Sequence, residues 1–307
     1  MKNRIDFPLQ GIVPPLVTPL IDNDTLDVEG LESLIEHVIS GGVHGIFILG
    51  TTGEFASISY KLRKNLIEQT CRMVKERVPV LVGISDSAFS ESLNLTRCAE
   101  ESGADAVVLT PPYYFASGQL ELLEYLNRIM KKVPLPMFIY NMPIHTKVMF
   151  APETVQRAAD IPGIIGMKDS SANLAYFNQI RYLMKDTHPD FSFLVGPEEL
   201  LAEFILMGGH GGVNGGANLF PRLYVDLYEA SLNWDFDQIE KLRQQVMQIC
   251  TSLYNIGQHG SSYLKGLKCA LSLKGICNDF MAEPFHKFNE PEREKVKYAL
   301  EALNENL

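Results

Sequence analysis

Eight short apolar runs rich in Val and Ile, alternating with stretches of helical periodicity, constrain the fold more than any other feature of this 307-residue chain. They are Ile12 to Leu16, Gly45 to Leu49, Pro79 to Ile84, Ala106 to Leu109, Met137 to Tyr140, Ile164 to Lys168, Phe191 to Val195 and Gly212 to Val213. None shows the clean polar alternation of a half-solvated sheet, so both faces are expected to be covered, as in a parallel sheet flanked by helices. The intervening segments carry start and stop signals. Asp27 precedes Val28, Leu31, Leu34, Ile35, Val38 and Ile39, with Gly41-Gly42 behind them; Ser90 opens another helix through Leu93 that Gly103 ends. Eight such units over about 220 residues predict an α/β fold of the closed (β/α)8 type. An open doubly wound sheet is the competing arrangement, but no GxGxxG follows the first strand.

Beyond Asn233 the helical patterns continue without strands: Phe236 to Tyr254, Ser261 to Leu273, and a last helix opened by Asn289 with Pro291 in its first turn, ending near Leu303. Residues 1–232 are therefore read as the barrel and catalytic domain, and 233–307 as a C-terminal helical extension. The extension carries no catalytic signature and is expected to pack on the barrel or build an oligomer interface.

Composition narrows the partners. The chain is 46% hydrophobic, enough for a large core, and its 27 basic and 37 acidic residues give a net charge of −10, which disfavours a nucleic-acid groove. No apolar run approaches the roughly 20 residues that span a bilayer, and Met1 to Gln10 lacks the apolar segment of a signal peptide. A cytoplasmic protein without a membrane partner is expected. Cys71, Cys98, Cys250, Cys269 and Cys277 are odd in number, with no CxxC pair, and read as free thiols.

Within that frame Lys168 calls for a chemical explanation, because it closes the apolar run Ile164-Ile165-Gly166-Met167. Burying an ammonium costs several kcal/mol unless it is paired or deprotonated, and a neutral amine is a nucleophile. Asp169 follows directly, but neighbouring strand residues point to opposite faces, so its carboxylate is not expected beside the amine.

Function in such a barrel gathers at the carboxyl ends of the strands. Those ends read Gly50-Thr51-Thr52-Gly53-Glu54, Thr110-Pro111-Pro112-Tyr113-Tyr114, Tyr140-Asn141-Met142-Pro143, Lys168-Asp169-Ser170-Ser171, Gly196-Pro197-Glu198-Glu199 and Gly211-Gly212-Val213-Asn214-Gly215-Gly216. An amine that attacks a ketone needs a proton donor and acceptor, and Tyr140 on the adjacent strand suits that role. Hydroxyls and N–H groups of a Gly-flanked turn, here Thr51 and Thr52, can hold the carboxylate of a 2-oxo acid without an added cation. The resulting iminium withdraws electrons, so a carbon-carbon bond is made or broken with no metal and no cofactor. Each part has a plainer use: an ordinary βα turn for Thr51-Thr52-Gly53, core or interface packing for Tyr113, Tyr114 and Tyr140, tight packing for the strand-8 glycines, and a helix-terminus charge for Glu54.

As a set, Gly50-Thr51-Thr52-Gly53-Glu54, Pro112-Tyr113-Tyr114, Tyr140-Asn141-Met142-Pro143, Gly166-Met167-Lys168-Asp169 and the strand-8 glycine segment resemble the dihydrodipicolinate synthase and N-acetylneuraminate lyase family, pyruvate-dependent class I aldolases on a TIM barrel, in that family's order and across essentially the whole chain. The resemblance implies that Lys168 forms the Schiff base with a 2-oxo acid, Tyr140 shuttles protons, and Thr51 and Thr52 bind the carboxylate and link the relay. It implies that Tyr114 completes the relay in a neighbouring subunit of a homotetramer. Substrate binding would fall to Thr51, Thr52, Gly53, His145, Glu198, Val213, Asn214 and Gly215.

Departures from the family pattern narrow the substrate. Where dihydrodipicolinate synthases read YNxPxRT, this chain reads Tyr140-Asn141-Met142-Pro143-Ile144-His145-Thr146. A histidine cannot make the bidentate fork by which arginine grips a carboxylate, which counts against aspartate semialdehyde, although Lys147 is adjacent. Glu198 and Glu199 suit polyol hydroxyls, whereas Gly215 replaces a hydroxyl-bearing residue of the sialic acid lyases. Phe55 stands where lysine-regulated synthases have a small polar residue. The expected reaction is reversible cleavage of a 2-oxo-3-deoxy sugar acid or a related hydroxylated 2-oxo acid. Dihydrodipicolinate synthesis, sialic acid cleavage and sugar-acid dehydration are alternatives within the family. A silent binding barrel and a metal-dependent enzyme using Asp169, Glu198 and Glu199 are the rivals outside it.

Overall fold

In the computed structural model, which describes Ile5, residues 8–257 and residues 259–304, eight parallel strands curl into a barrel. They are β1 (Gly11–Ile12), β2 (Ile46–Ile48), β3 (Val80–Gly83), β4 (Ala106–Leu109), β5 (Met137–Asn141), β6 (Ile164–Asp169), β7 (Ser192–Val195) and β8 (Gly211–Gly212). From β2 to β8 each strand pairs with the next, and β1 pairs with β8 through Gly11–Gly211 and Ile12–Gly212. The last seam closes beyond β1, where Leu16 N–H donates to Phe47 O at 2.8 Å and Phe47 N–H donates to Pro14 O at 3.0 Å. The strand expected over Ile12 to Leu16 is cut short because Pro14 and Pro15 have no N–H with which to continue a ladder. The (β/α)8 TIM barrel expected from the strand count is the fold observed.

Consecutive strand residues serve two different cores. Val13, Phe47, Ala106, Val108, Phe138 and Tyr140 fill the barrel interior, whereas Val107, Leu109, Met137, Ile139 and Met167 pack between the strands and the helices. With both faces buried, the period-two geometry of the strand leaves no polar alternation in the sequence.

The helix Val28–Ser40 is capped by Asp27, whose Oδ1 accepts from Gly30 N–H at 2.9 Å. The helix expected from Ser90 begins at Phe89 and runs to Glu101. After β8 come Pro221–Leu232, Phe236–Ser252, Ser262–Leu273 and Glu290–Asn304, and no described helix is long and apolar enough to cross a membrane. All five cysteines are free thiols.

Candidate active site

The register of β5 against β6 sets Tyr140 beside Lys168 at the carboxyl end of the barrel. Gly166 is two residues earlier on the same face, where a Cβ would lie 2.4 Å from the Phe138 ring, so glycine there lets the strands approach. Asp169 turns the other way, as strand geometry requires. Its carboxylate accepts from Asn141 Nδ2 at 2.8 Å and from Ser171 Oγ at 2.9 Å. Lys168 is 5% exposed, and no carboxylate of the described residues pairs with it. Its Nζ faces aromatic rings instead, 4.2 Å from the Tyr140 centroid and 5.0 Å from that of Phe47.

Burial pushes the Lys168 amine below the ordinary lysine range, with the neighbouring Tyr140 phenol opposing. Burial alone would raise the Tyr140 phenol. The adjacent ammonium and hydrogen bonds with Thr51 and Ser170 outweigh it and bring the phenol below its usual value. The two groups thus compete across one register step for the same proton.

The loop after β2 supplies the hydroxyls. Thr51 Oγ1 lies 3.4 Å from Tyr140 Oη, while Thr52 Oγ1 lies 2.9 Å from Tyr263 Oη, a residue of the C-terminal extension. The hydroxyl beside Tyr140 is therefore that of Thr51, while that of Thr52, expected in the same relay, faces Tyr263 instead. Gly53 is backbone support: its N–H donates to Gly50 O at 3.0 Å and its carbonyl accepts from Thr18 Oγ1 at 2.7 Å.

Glu54 anchors this loop rather than a helix terminus. Its Oε1 is 2.7 Å from Lys268 Nζ and its Oε2 accepts from Ala282 N–H at 2.9 Å, while Lys268 also donates to Phe280 O. The pair is sealed from water, so losing either member leaves a buried charge uncompensated.

On the β7–β8 side, Glu198 is buried, not spread toward the pocket centre. Its Oε2 accepts from Gly216 N–H at 2.8 Å, Cys250 Sγ–H donates to its Oε1 at 3.5 Å, and burial raises its carboxyl above the ordinary range. Glu199 is exposed. Val213 continues the ladder by donating to Val195 O at 2.7 Å, and Asn214 Nδ2 donates to Gly196 O at 3.1 Å. The strand-8 glycines are points of close approach: a Cβ on Gly211 would lie 2.0 Å from Gly11 O, and one on Gly215 would lie 1.9 Å from Tyr263 Oη.

These residues surround a pocket of about 340 Å³ lined by Thr51, Thr52, Tyr140, His145, Lys168, Glu198, Val213 and Gly215 together with Tyr254 and Tyr263. His145 sits exposed at its mouth, with the pocket wall drawing its imidazole below the usual value by desolvation. Gly53 and Asn214 stand behind the lining. Tyr114 is outside it, 72% exposed and stacked edge-on against Phe115 at 5.0 Å. Tyr254 and Tyr263 were not foreseen, because a tyrosine in or beside an amphipathic helix carries no local mark of reaching a distant loop. Among the described residues no group of three His, Cys, Asp or Glu side chains converges as a metal site.

A buried lysine facing a tyrosine at the carboxyl end of a TIM barrel agrees with what comparison with known proteins finds. The sequence profile of the Dihydrodipicolinate synthetase family matches residues 8–303. The chain belongs to that family. A family member from Polynucleobacter asymbioticus, named 4-hydroxy-tetrahydrodipicolinate synthase, is 32% identical over 96% of this chain and 95% of its own. The Escherichia coli family member YagE, provisionally named a 2-dehydro-3-deoxy-D-gluconate aldolase, is 30% identical over 95% of this chain and 96% of its own. Among solved structures, the dihydrodipicolinate synthase from Bacteroides thetaiotaomicron superposes with a TM-score of 0.95 at 61% identity, covering 97% of this chain and all of that one. YagE in complex with pyruvate superposes with a TM-score of 0.91 at 30% identity, covering 97% and 99%. This chain is accordingly an enzyme of the lyase and synthase type that the family comprises.

Proposed function

We propose that Lys168 forms an imine with a hydroxylated 2-oxo acid of the 2-oxo-3-deoxy sugar acid type and that the chain cleaves it reversibly to pyruvate and an aldehyde. The observation that carries this reading is the Lys168 amine, buried without a carboxylate partner among the described residues and in register with Tyr140. The neutral amine attacks C2, Tyr140 protonates the departing hydroxyl, and water leaves as the iminium forms. Removal of the C4 hydroxyl proton then lets the C3–C4 electrons flow into the iminium, releasing the aldehyde and leaving an enamine. Reprotonation at C3 and hydrolysis return pyruvate and free Lys168. Thr51 is placed to pass protons to and from Tyr140, and the Thr51-Thr52-Gly53 turn to hold the carboxylate.

Dihydrodipicolinate synthesis is the second reading, favoured by the name of the 61% identical Bacteroides protein. It is disfavoured by His145, where a bidentate arginine would be expected to grip aspartate semialdehyde. Exposed Tyr114, Phe115 and Ile144 support a homotetramer in which Tyr114 reaches a neighbouring subunit's relay. The free thiols fit a cytoplasmic location.

The deciding experiment is intact-mass analysis after incubation with pyruvate and borohydride. One reduced-pyruvate adduct is expected on the parent and none on Lys168→Ala. A parent that gains no adduct from pyruvate sinks the imine reading.

A further inference from the structure

Two threonine–tyrosine pairs meet at the catalytic pocket, and their surroundings treat the two phenols in opposite ways. Thr51 Oγ1 stands 3.4 Å from Tyr140 Oη, and Thr52 Oγ1 stands 2.9 Å from Tyr263 Oη. All four residues line the pocket that holds Lys168. Burial works to raise the Tyr140 phenol, but the Lys168 ammonium and hydrogen bonds with Thr51 and Ser170 bring it below its usual value, where it can give up a proton. Burial first and the Glu198 carboxylate second push the Tyr263 phenol above its usual value, so that group keeps its proton.

The pocket wall makes room for this second phenol. A Cβ on Gly215 would lie 1.9 Å from Tyr263 Oη and 2.8 Å from its Cζ, so the end of the ring fills the volume that any larger residue at 215 would take. Tyr254 packs edge-on against the Tyr263 ring, with centroids 4.8 Å apart, and fixes its tilt. Thr52 is 5% exposed, and the phenol is the hydrogen-bond partner of its Oγ1 among the described residues. Either oxygen of that pair can be the donor when the pocket is empty. A bound 2-oxo acid removes the choice. A carboxylate oxygen only accepts, so a threonine hydroxyl that binds one must turn its single proton to the ligand and accept at its oxygen from elsewhere.

We propose that Tyr263 is a positioning residue for the substrate carboxylate: its phenol donates to Thr52 Oγ1 and so aims the Thr52 proton at the carboxylate of the 2-oxo acid. Resting on the Lys168 imine reading, this divides the two threonines by task. Thr51 and Tyr140 move the protons of imine formation, while Thr52 and Tyr263 move none and hold the carboxylate. Each hydrogen bond in the series from phenol to hydroxyl to carboxylate polarises the next, which strengthens the one to the ligand. The C-terminal extension thereby takes part in binding the 2-oxo end of the substrate.

The test is borohydride trapping of pyruvate on the full chain, fitted for the half-saturating pyruvate concentration and for the rate at saturation. Tyr263→Phe keeps the ring against Tyr254. It should raise the half-saturating concentration about 5- to 10-fold, the scale of one neutral hydrogen bond, and leave the saturating rate within about 2-fold. Thr52→Val should raise that concentration about 10- to 100-fold, the scale of a hydrogen bond to a charge, whereas Thr52→Ser should stay near the parent. Adding Tyr263→Phe to Thr52→Val should change nothing further, because the phenol acts through the hydroxyl already lost. Three results would each overturn the assignment: a half-saturating concentration that Tyr263→Phe leaves unchanged, a loss confined to the saturating rate, or a double variant whose loss is the product of the single ones. A parent that traps no pyruvate sinks the imine reading and this assignment together, whereas those three results sink the assignment alone.

Discussion

Lys168 and Lys268 are both buried lysines, yet one is paired and the other is not. Lys268, on the helix Ser262–Leu273, meets Glu54 at 2.7 Å and Phe280 O, so its charge is fully answered. Lys168, at the end of β6, meets two aromatic faces and a phenol, so its charge is only partly answered and its amine is pushed toward neutrality. The same side chain at similar burial becomes a structural clamp or, as proposed for Lys168, a nucleophile according to what stands opposite it. A buried ion pair stabilises by mutual compensation, whereas an uncompensated amine stores its desolvation cost as reactivity.

Removing each charge in turn should break the symmetry most visibly. Lys268→Met strands Glu54 and should cost about 3–5 kcal/mol in urea unfolding. Lys168→Met removes an uncompensated charge and should cost far less, or stabilise. Adding Glu54→Gln to Lys268→Met keeps an acceptor for Ala282 N–H and should recover much of the loss. Equal costs for the two lysines would undo the comparison.

Tyr140→Phe should sharpen it. Pyruvate trapping should slow by about 100-fold, the low end for a general acid–base group. Because Tyr140 raises the pKa of Lys168, its loss should also move the acid limb of the trapping rate to lower pH, since the amine then stays unprotonated further down. A limb that moves toward alkali would mean that the phenol is not what holds the proton on the amine.

Glu198 offers the smallest effect and the opposite sign of charge. Burial raises its pKa in the folded state, so the folded chain binds more protons than the unfolded one above the ordinary value of 4.5. Stability should therefore decline as pH rises from there through the folded-state pKa, and Glu198→Gln should flatten that decline in urea midpoints taken from pH 5 to pH 8. An unchanged slope would show that Glu198 is not the group responsible.

The barrel was legible because strands buried on both faces betray themselves as apolar runs, and Lys168 because a charge at the end of such a run conflicts with its surroundings. Adjacent threonines were harder to tell apart. Thr51 and Thr52 have the same side chain, and only the turn's backbone path assigns one hydroxyl to Tyr140 and the other to Tyr263. That the extension packs on the barrel was legible, but the residues by which it does so were not. Tyr263 reaches Thr52 across 211 residues and Lys268 reaches Glu54 across 214, and no local pattern encodes a meeting at that separation.

That separation also sets an order of events during synthesis. Once residues 1–232 have emerged from the ribosome, every stave of the barrel and Lys168 are free to fold, but Glu54 still has no counter-ion and Thr52 no tyrosine. Only when residues 262–273 emerge can the loop after β2 be locked, so the nascent chain carries Lys168 long before it carries the parts that fix the loop beside it.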